Sequence, residues 1–130
     1  MRRSILFNSL TVYPLLLALT SLVAYSSNSI NLDGLWNTHK DNTYVEIKST
    51  SSKIEGRIER TSHDNVSIGS LIIKDVKRVS PNSFTGTIYS FKYQRWFPAK
   101  MTRNQDVLTI QINTKIKTTT MEWHLVKTTK

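Results

Sequence analysis

The chain has 130 residues, 18 lysines and arginines against 9 acidic residues, and no cysteine. It is therefore long enough for one domain with its own core, and it has no disulfide staple, no thiol nucleophile and no thiolate metal site. Its net charge of +9 favours anionic partners such as lipid headgroups or other polyanions.

Residues 1–26 read MRRSILFNSLTVYPLLLALTSLVAYS. Arg2 and Arg3 are followed by an apolar run, and Ala24 and Ser26 offer small residues at the −3 and −1 positions of a cleavage site. This is the order of a secretory signal peptide, so we expect a leader over 1–26 and a periplasmic or secreted domain over 27–130. An uncleaved inner-membrane anchor over 5–25, facing the periplasm, is the alternative, because 21 positions approach the length that spans a bilayer. Without the two leader arginines, 16 basic residues stand against 9 acidic ones, a net of +7. The basic residues are spread along the chain, which reads first as a solvated outer sheet face. Asn65-Val66-Ser67 fits the glycan acceptor pattern, a match taken as chance in a bacterial envelope.

The stretch GLWNTHKDNTYVEI, residues 34–47, opens the folded part. Gly34 permits a tight entry at positive φ, and Trp36 is expected to plug the end of a barrel, with Trp123 of the last strand as a further large core ring. A cation from the last strand, Lys127 or Lys117, is expected on the Trp36 ring. Tyr44 to Ser49 alternates, with Val45 and Ile47 on one face; Lys53 to Arg60 does the same with Ile54, Gly56 and Ile58. Thr50-Ser51-Ser52 is a hairpin turn, and 61–69 is a polar loop. Leu71 to Val79 breaks its alternation, which predicts a bulge. After the turn at Ser80-Pro81-Asn82 come Phe84, Gly86 and Ile88, then Phe97, Ala99 and Met101, all facing inward. Asn104-Gln105-Asp106 turns the chain into Leu108, Ile110 and Ile112, and the last strand carries Met121, Trp123 and Leu125. Seven strands joined by short turns require antiparallel neighbours, and one apolar face per strand requires closure or stacking. The expected fold is all-β, an antiparallel up-and-down barrel of about seven to eight strands.

The chain from Gly34 to Lys127 resembles the small exported bacterial proteins called the domain of unknown function 2147 family, which are lipocalin-like. The carriers are GLW at 34–36, VEI at 45–47, KIEGRI at 53–58, FTGTIY at 84–89, FPAKM at 97–101, DVLTIQI at 106–112 and EWHLV at 122–126. Family members tend to read Gly-x-Trp, a strand ending in Gly-x-Ile, then Gly-x-Ile-Tyr-Asp-Pro-x-x-Gly-Lys-x-Tyr, and finally Trp-Thr-Arg. Here Ser90 and Phe91 stand at the Asp-Pro, Gln94 at the Gly, Arg95 at the Lys, Phe97 at the final aromatic position and Leu125 at the last Arg. The resemblance implies a lipocalin- or calycin-like barrel and an exported location.

Catalytic constellations are not found. His39, His63 and His124 lack the spacing of a metal site, and Glu55 and Glu59 alternate with Lys53 and Arg57 as a solvated charge ladder. No phosphate loop, nucleophile elbow or calcium loop occurs, so no enzyme, cofactor or metal is expected. The distinctive stretch is YSFKYQRWF, residues 89–97. Tyr93, Arg95 and Trp96 within it, and Lys100 just beyond it, are the candidate binding residues. Parity places Arg95 at the rim of the barrel mouth, Phe97 in the core, and Trp96 beside Lys100 outside. Three readings follow. The first is a periplasmic binding barrel for an apolar or amphipathic, lipid-like ligand, with Gly56, Gly86 and Ala99 leaving room inside. The second is an envelope-associated interaction, accessory or inhibitor module whose basic aromatic loop meets an anionic membrane surface or a protein partner. The third is an oligonucleotide-type barrel for a polyanion; export argues against nucleic acid, and no aromatic pair alternates along a strand for base stacking.

Overall fold

In a computed structural model the protein is an antiparallel barrel of eight strands, and residues 29–127 are described. The expected leader over 1–26 and the alternative anchor over 5–25 lie outside the described residues. The strands are β1 (Gly34–Asn37), β2 (Tyr44–Ser49), β3 (Ile54–Arg60), β4 (Leu71–Ser80), β5 (Ser83–Ser90), β6 (Arg95–Asn104), β7 (Val107–Asn113) and β8 (Thr118–Leu125). Each pairs with its sequence neighbours, and β1 pairs with β8 to close the barrel. The all-β, up-and-down reading therefore holds. The strand beyond the seven read by alternation is Gly34–Asn37, four residues too short to show a period.

The interior follows the alternation. Val45, Ile47, Ile58, Ile73, Phe84, Met101, Leu108 and Ile110 are each 1 % exposed or less, and Trp36 is fully buried. Among the described residues no polar or charged side chain is buried. The bulge expected in β4 lies at Asp75, which has φ 55° and interrupts the register between Lys74 and Lys77. The extra residue turns Val76 inward beside Gly86.

One end of the barrel is covered by residues 30–33. Leu32 is fully buried beneath that end, and its carbonyl accepts a hydrogen bond from Trp36 Nε1 at 2.9 Å. The segment is tied to two turns: Ile30 N donates to Pro81 O at 3.0 Å, and Arg103 Nη1 donates to Asn31 O at 2.9 Å. Gly34 has φ 145°, a region side chains disfavour, and a Cβ there would stand 2.6 Å from Leu125 Cδ1.

Two expectations about this region need correction. The cation on the Trp36 ring is Arg103 of β6, 5.1 Å from the ring centroid, and neither Lys127 nor Lys117. Lys127 pairs with Asp106 at 2.8 Å, and that carboxylate holds the ammonium above its ordinary pKa. Lys117 sits in the β7–β8 turn, where its carbonyl accepts from Thr114 N. The inward small residues also leave less room than expected. A Cβ on Gly56 would meet Ile73 at 3.0 Å, and one on Gly86 would meet Met101 Cε at 3.0 Å and Val76 Cγ2 at 3.1 Å. Neighbouring side chains already occupy the space the glycines vacate.

Candidate functional site

The barrel is open at the end opposite Leu32. Four connections surround that end: 38–43 between β1 and β2, 61–70 between β3 and β4, 91–94 between β5 and β6, and 114–117 between β7 and β8. Within it lies a cavity of about 720 Å³. Its floor is apolar, made by Ile58, Ile72, Ile88, Ile112, Met121 and Trp123. These residues come from five different strands; Ile58, Ile112, Met121 and Trp123 face inward between exposed neighbours, whereas Ile72 is buried next to the buried Ile73 near the start of β4. Trp123 is thus both a core ring, 4 % exposed, and part of the cavity wall.

The rim is polar. Lys40, Asp41, His63, Lys92 and Glu122 line it, with Thr38, Thr43 and Thr119 between them. Two cations and two carboxylates give a rim of mixed charge, so the cavity is apolar inside and hydrated at its entrance. Val66 reaches into the cavity from loop 61–70 and Phe91 from turn 91–94. Both are half-buried and pack against the core. Loop 61–70 is held by its neighbour: Ser62 N and Ser62 Oγ both donate to Asp41 O, at 2.9 and 2.8 Å, and the Thr43 and Thr61 hydroxyls are 2.8 Å apart.

The residues singled out in 89–97 divide between two faces. Phe97 is buried, as its parity requires. Arg95, the first residue of β6, has its guanidinium 5.1 Å from the Phe97 ring, and Tyr93, 49 % exposed, meets the same ring edge-on at 5.9 Å. Trp96 lies on the outer wall beside Tyr89, with ring centroids 5.4 Å apart. Its cation is Lys74 of β4, 4.3 Å from the ring, where Lys100 was expected. Lys100 is exposed and paired between Thr85 and Gln111, so it shares the outer face of β6 with Trp96 without being its cation partner. None of Tyr93, Arg95, Trp96 or Lys100 lines the cavity; from this hairpin the lining comes from Tyr89, Ser90, Phe91 and Lys92.

The fold also brings together two histidines that spacing kept apart. His39 Nε2 and His124 Nδ1 are 2.8 Å apart, with the rings at 74° and their centroids 4.7 Å apart. His63 stays separate, on the cavity rim. Among the described residues no group of three or more His, Asp, Glu or Cys side chains is arranged for a metal ion. No family model, curated protein or solved structure matches the chain.

Proposed function

We propose that the protein is an exported, non-catalytic binding barrel that holds an apolar or amphipathic ligand in the cavity at its open end. The observation that carries this reading is a volume of about 720 Å³ with an apolar floor and a polar rim. That volume lies within the range of about 300–1,000 Å³ usual for small-molecule sites, and eight-stranded barrels are wide enough to hold one small ligand. An amphipathic molecule fits the division: its chain covers Ile58, Ile88, Met121 and Trp123, while its head stays hydrated between Lys40, Lys92 and His63. The leader-like segment over 1–26 and the resemblance to the exported domain of unknown function 2147 family support the location. Native mass spectrometry of protein purified from its own envelope tests the reading. A retained lipid-sized mass is expected, and release of the bare chain only, under conditions that preserve the fold, would count against it.

A second reading is favoured by one observation. Lys92, Tyr93 and Arg95 are exposed and cluster in or beside the turn 91–94, at the same end as the cavity. Basic residues around an exposed aromatic suit an anionic membrane surface. Docking by that end would present the cavity mouth to lipid. Co-sedimentation with vesicles rich in anionic phospholipid should then fall in an Arg95→Ala/Trp96→Ala double variant and with added salt. Equal sedimentation of both proteins would remove the hairpin from the contact surface.

A further inference from the structure

We propose that His39 and His124 form a two-imidazole site for a borderline divalent transition ion, of the zinc, nickel or copper(II) class, placed across the seam where the barrel closes. The seam is short. Trp36 opposite Leu125 and Asn37 opposite His124 are its paired residues, whereas β5 and β6 pair from Ser83–Thr102 to Ser90–Arg95. His124 lies on the outer face of β8, beside Asn37 of β1. His39 follows two residues later, and φ 61° at His39 itself, with φ 52° at Asp41 and 49° at Asn42, turns loop 38–43 tightly back on itself. Asn37 Oδ1 accepts from His39 N at 2.8 Å and fixes the start of that turn. The result sets one ring nitrogen of each histidine towards the other at 2.8 Å.

That geometry is close to a chelate. Two imidazoles on one ion at about 2.0–2.1 Å have their nitrogens about 3.0–3.4 Å apart. The pair needs to open by only a few tenths of an ångström, which two exposed side chains can do. In the hydrogen-bonded pair one of the facing nitrogens carries the proton. Moving that proton to the far nitrogen of the same ring frees the second lone pair, so neutral rings bind the ion without losing a proton. Imidazole nitrogens suit zinc, nickel and copper, while magnesium and calcium prefer oxygen donors. An ion held here ties loop 38–43, which supplies Thr38, Lys40, Asp41 and Thr43 to the cavity rim, to β8. The site stands independently of what the cavity binds.

Thermal melts of the full chain, stripped by chelation and then supplied with zinc or nickel chloride, test the site. Because an ion that binds the folded state alone raises its stability by mass action, the midpoint should rise by about 5 °C at ion concentrations several times the dissociation constant. Magnesium should give no rise. His39→Ala and His124→Ala should each abolish the rise, and His63→Ala should keep it. A midpoint that zinc and nickel leave unchanged, or a rise that persists in both single variants, would overturn the proposal. Line broadening by copper(II) gives a second readout on the wild-type fold: the ring protons of His39 and His124 should broaden first, and broadening centred on His63 would refute the assignment.

Discussion

The guanidinium of Arg103 lies 5.1 Å from the Trp36 ring centroid while it donates to two backbone carbonyls, Asn31 O and Gln105 O. One side chain thus fastens the covering segment, a turn and the largest buried ring at the same end of the barrel. Trp36 in turn donates to Leu32 O. Replacing Trp36 by Ala removes a fully buried ring and unties that carbonyl, so urea unfolding should show a loss of about 3–5 kcal/mol. An unchanged midpoint would mean that the ring does not anchor the barrel.

Arg103 is a cation over a ring and a clamp on a backbone, and these roles separate by substitution. Arg103→Lys keeps the charge and loses the fork that reaches two carbonyls; Arg103→Ala loses both. The alanine variant should lose about 1–3 kcal/mol, the range for charge-assisted hydrogen bonds and a cation over a ring. The lysine variant should recover only part of it. Full recovery by lysine would assign the effect to charge alone.

Gly34 offers a backbone test of the same end. Gly34→Ala forces a side chain into a φ region it avoids and towards Leu125 Cδ1, so we expect a loss of about 1–3 kcal/mol in chemical denaturation. Gly69 also has positive φ, 89°, but a Cβ there meets no atom within 4 Å. Gly69→Ala should therefore cost less than Gly34→Ala, and the reverse order would refute the packing argument.

The hairpin at 91–94 should tolerate change. Arg95→Ala/Trp96→Ala removes an exposed charge that lies over the edge of the core at Phe97 and a half-buried outer ring, neither of which is itself buried. The loss should stay near about 0.5 kcal/mol for the arginine, with a similar share for the Lys74–Trp96 contact. A protein that no longer folds would place these side chains among the determinants of the barrel.

The strands were legible because a barrel with a packed interior imposes a period of two on β2, β3 and β5 to β8. β1 was not, because four residues cannot display a period, and Gly34 and Trp36 were legible only as an entry and a plug. The partner of Trp36 is not legible because nothing in sequence tells which strand of a closed barrel ends beside a given ring; here it is β6, through Arg103. The same applies to Trp96. Alternation puts Lys100 on its strand face, but the contact is made across strands, by Lys74 of β4, with β5 between the two. Whether and where the barrel is hollow is not legible in the alternation. Inward glycines suggested room at mid-barrel, whereas Ile73, Val76 and Met101 fill that level and the volume lies at the mouth. The His39–His124 contact, 85 residues apart in sequence, exists only because β1 closes on β8.

Thr119 provides the most direct test of the cavity as a binding site. It is exposed, sits on β8 opposite Ile112, and lines the cavity. A large ring placed there fills the cavity without displacing a core side chain, so Thr119→Trp should keep the wild-type fold. Calorimetric titration of palmitate and of a lysophospholipid into the wild type and into Thr119→Trp is the measurement. Saturable binding of at least one of them by the wild type, weakened by tenfold or more in the variant, a change of about 1.4 kcal/mol, is the predicted result. No binding of either by the wild type, or equal binding by both proteins, would contradict the account.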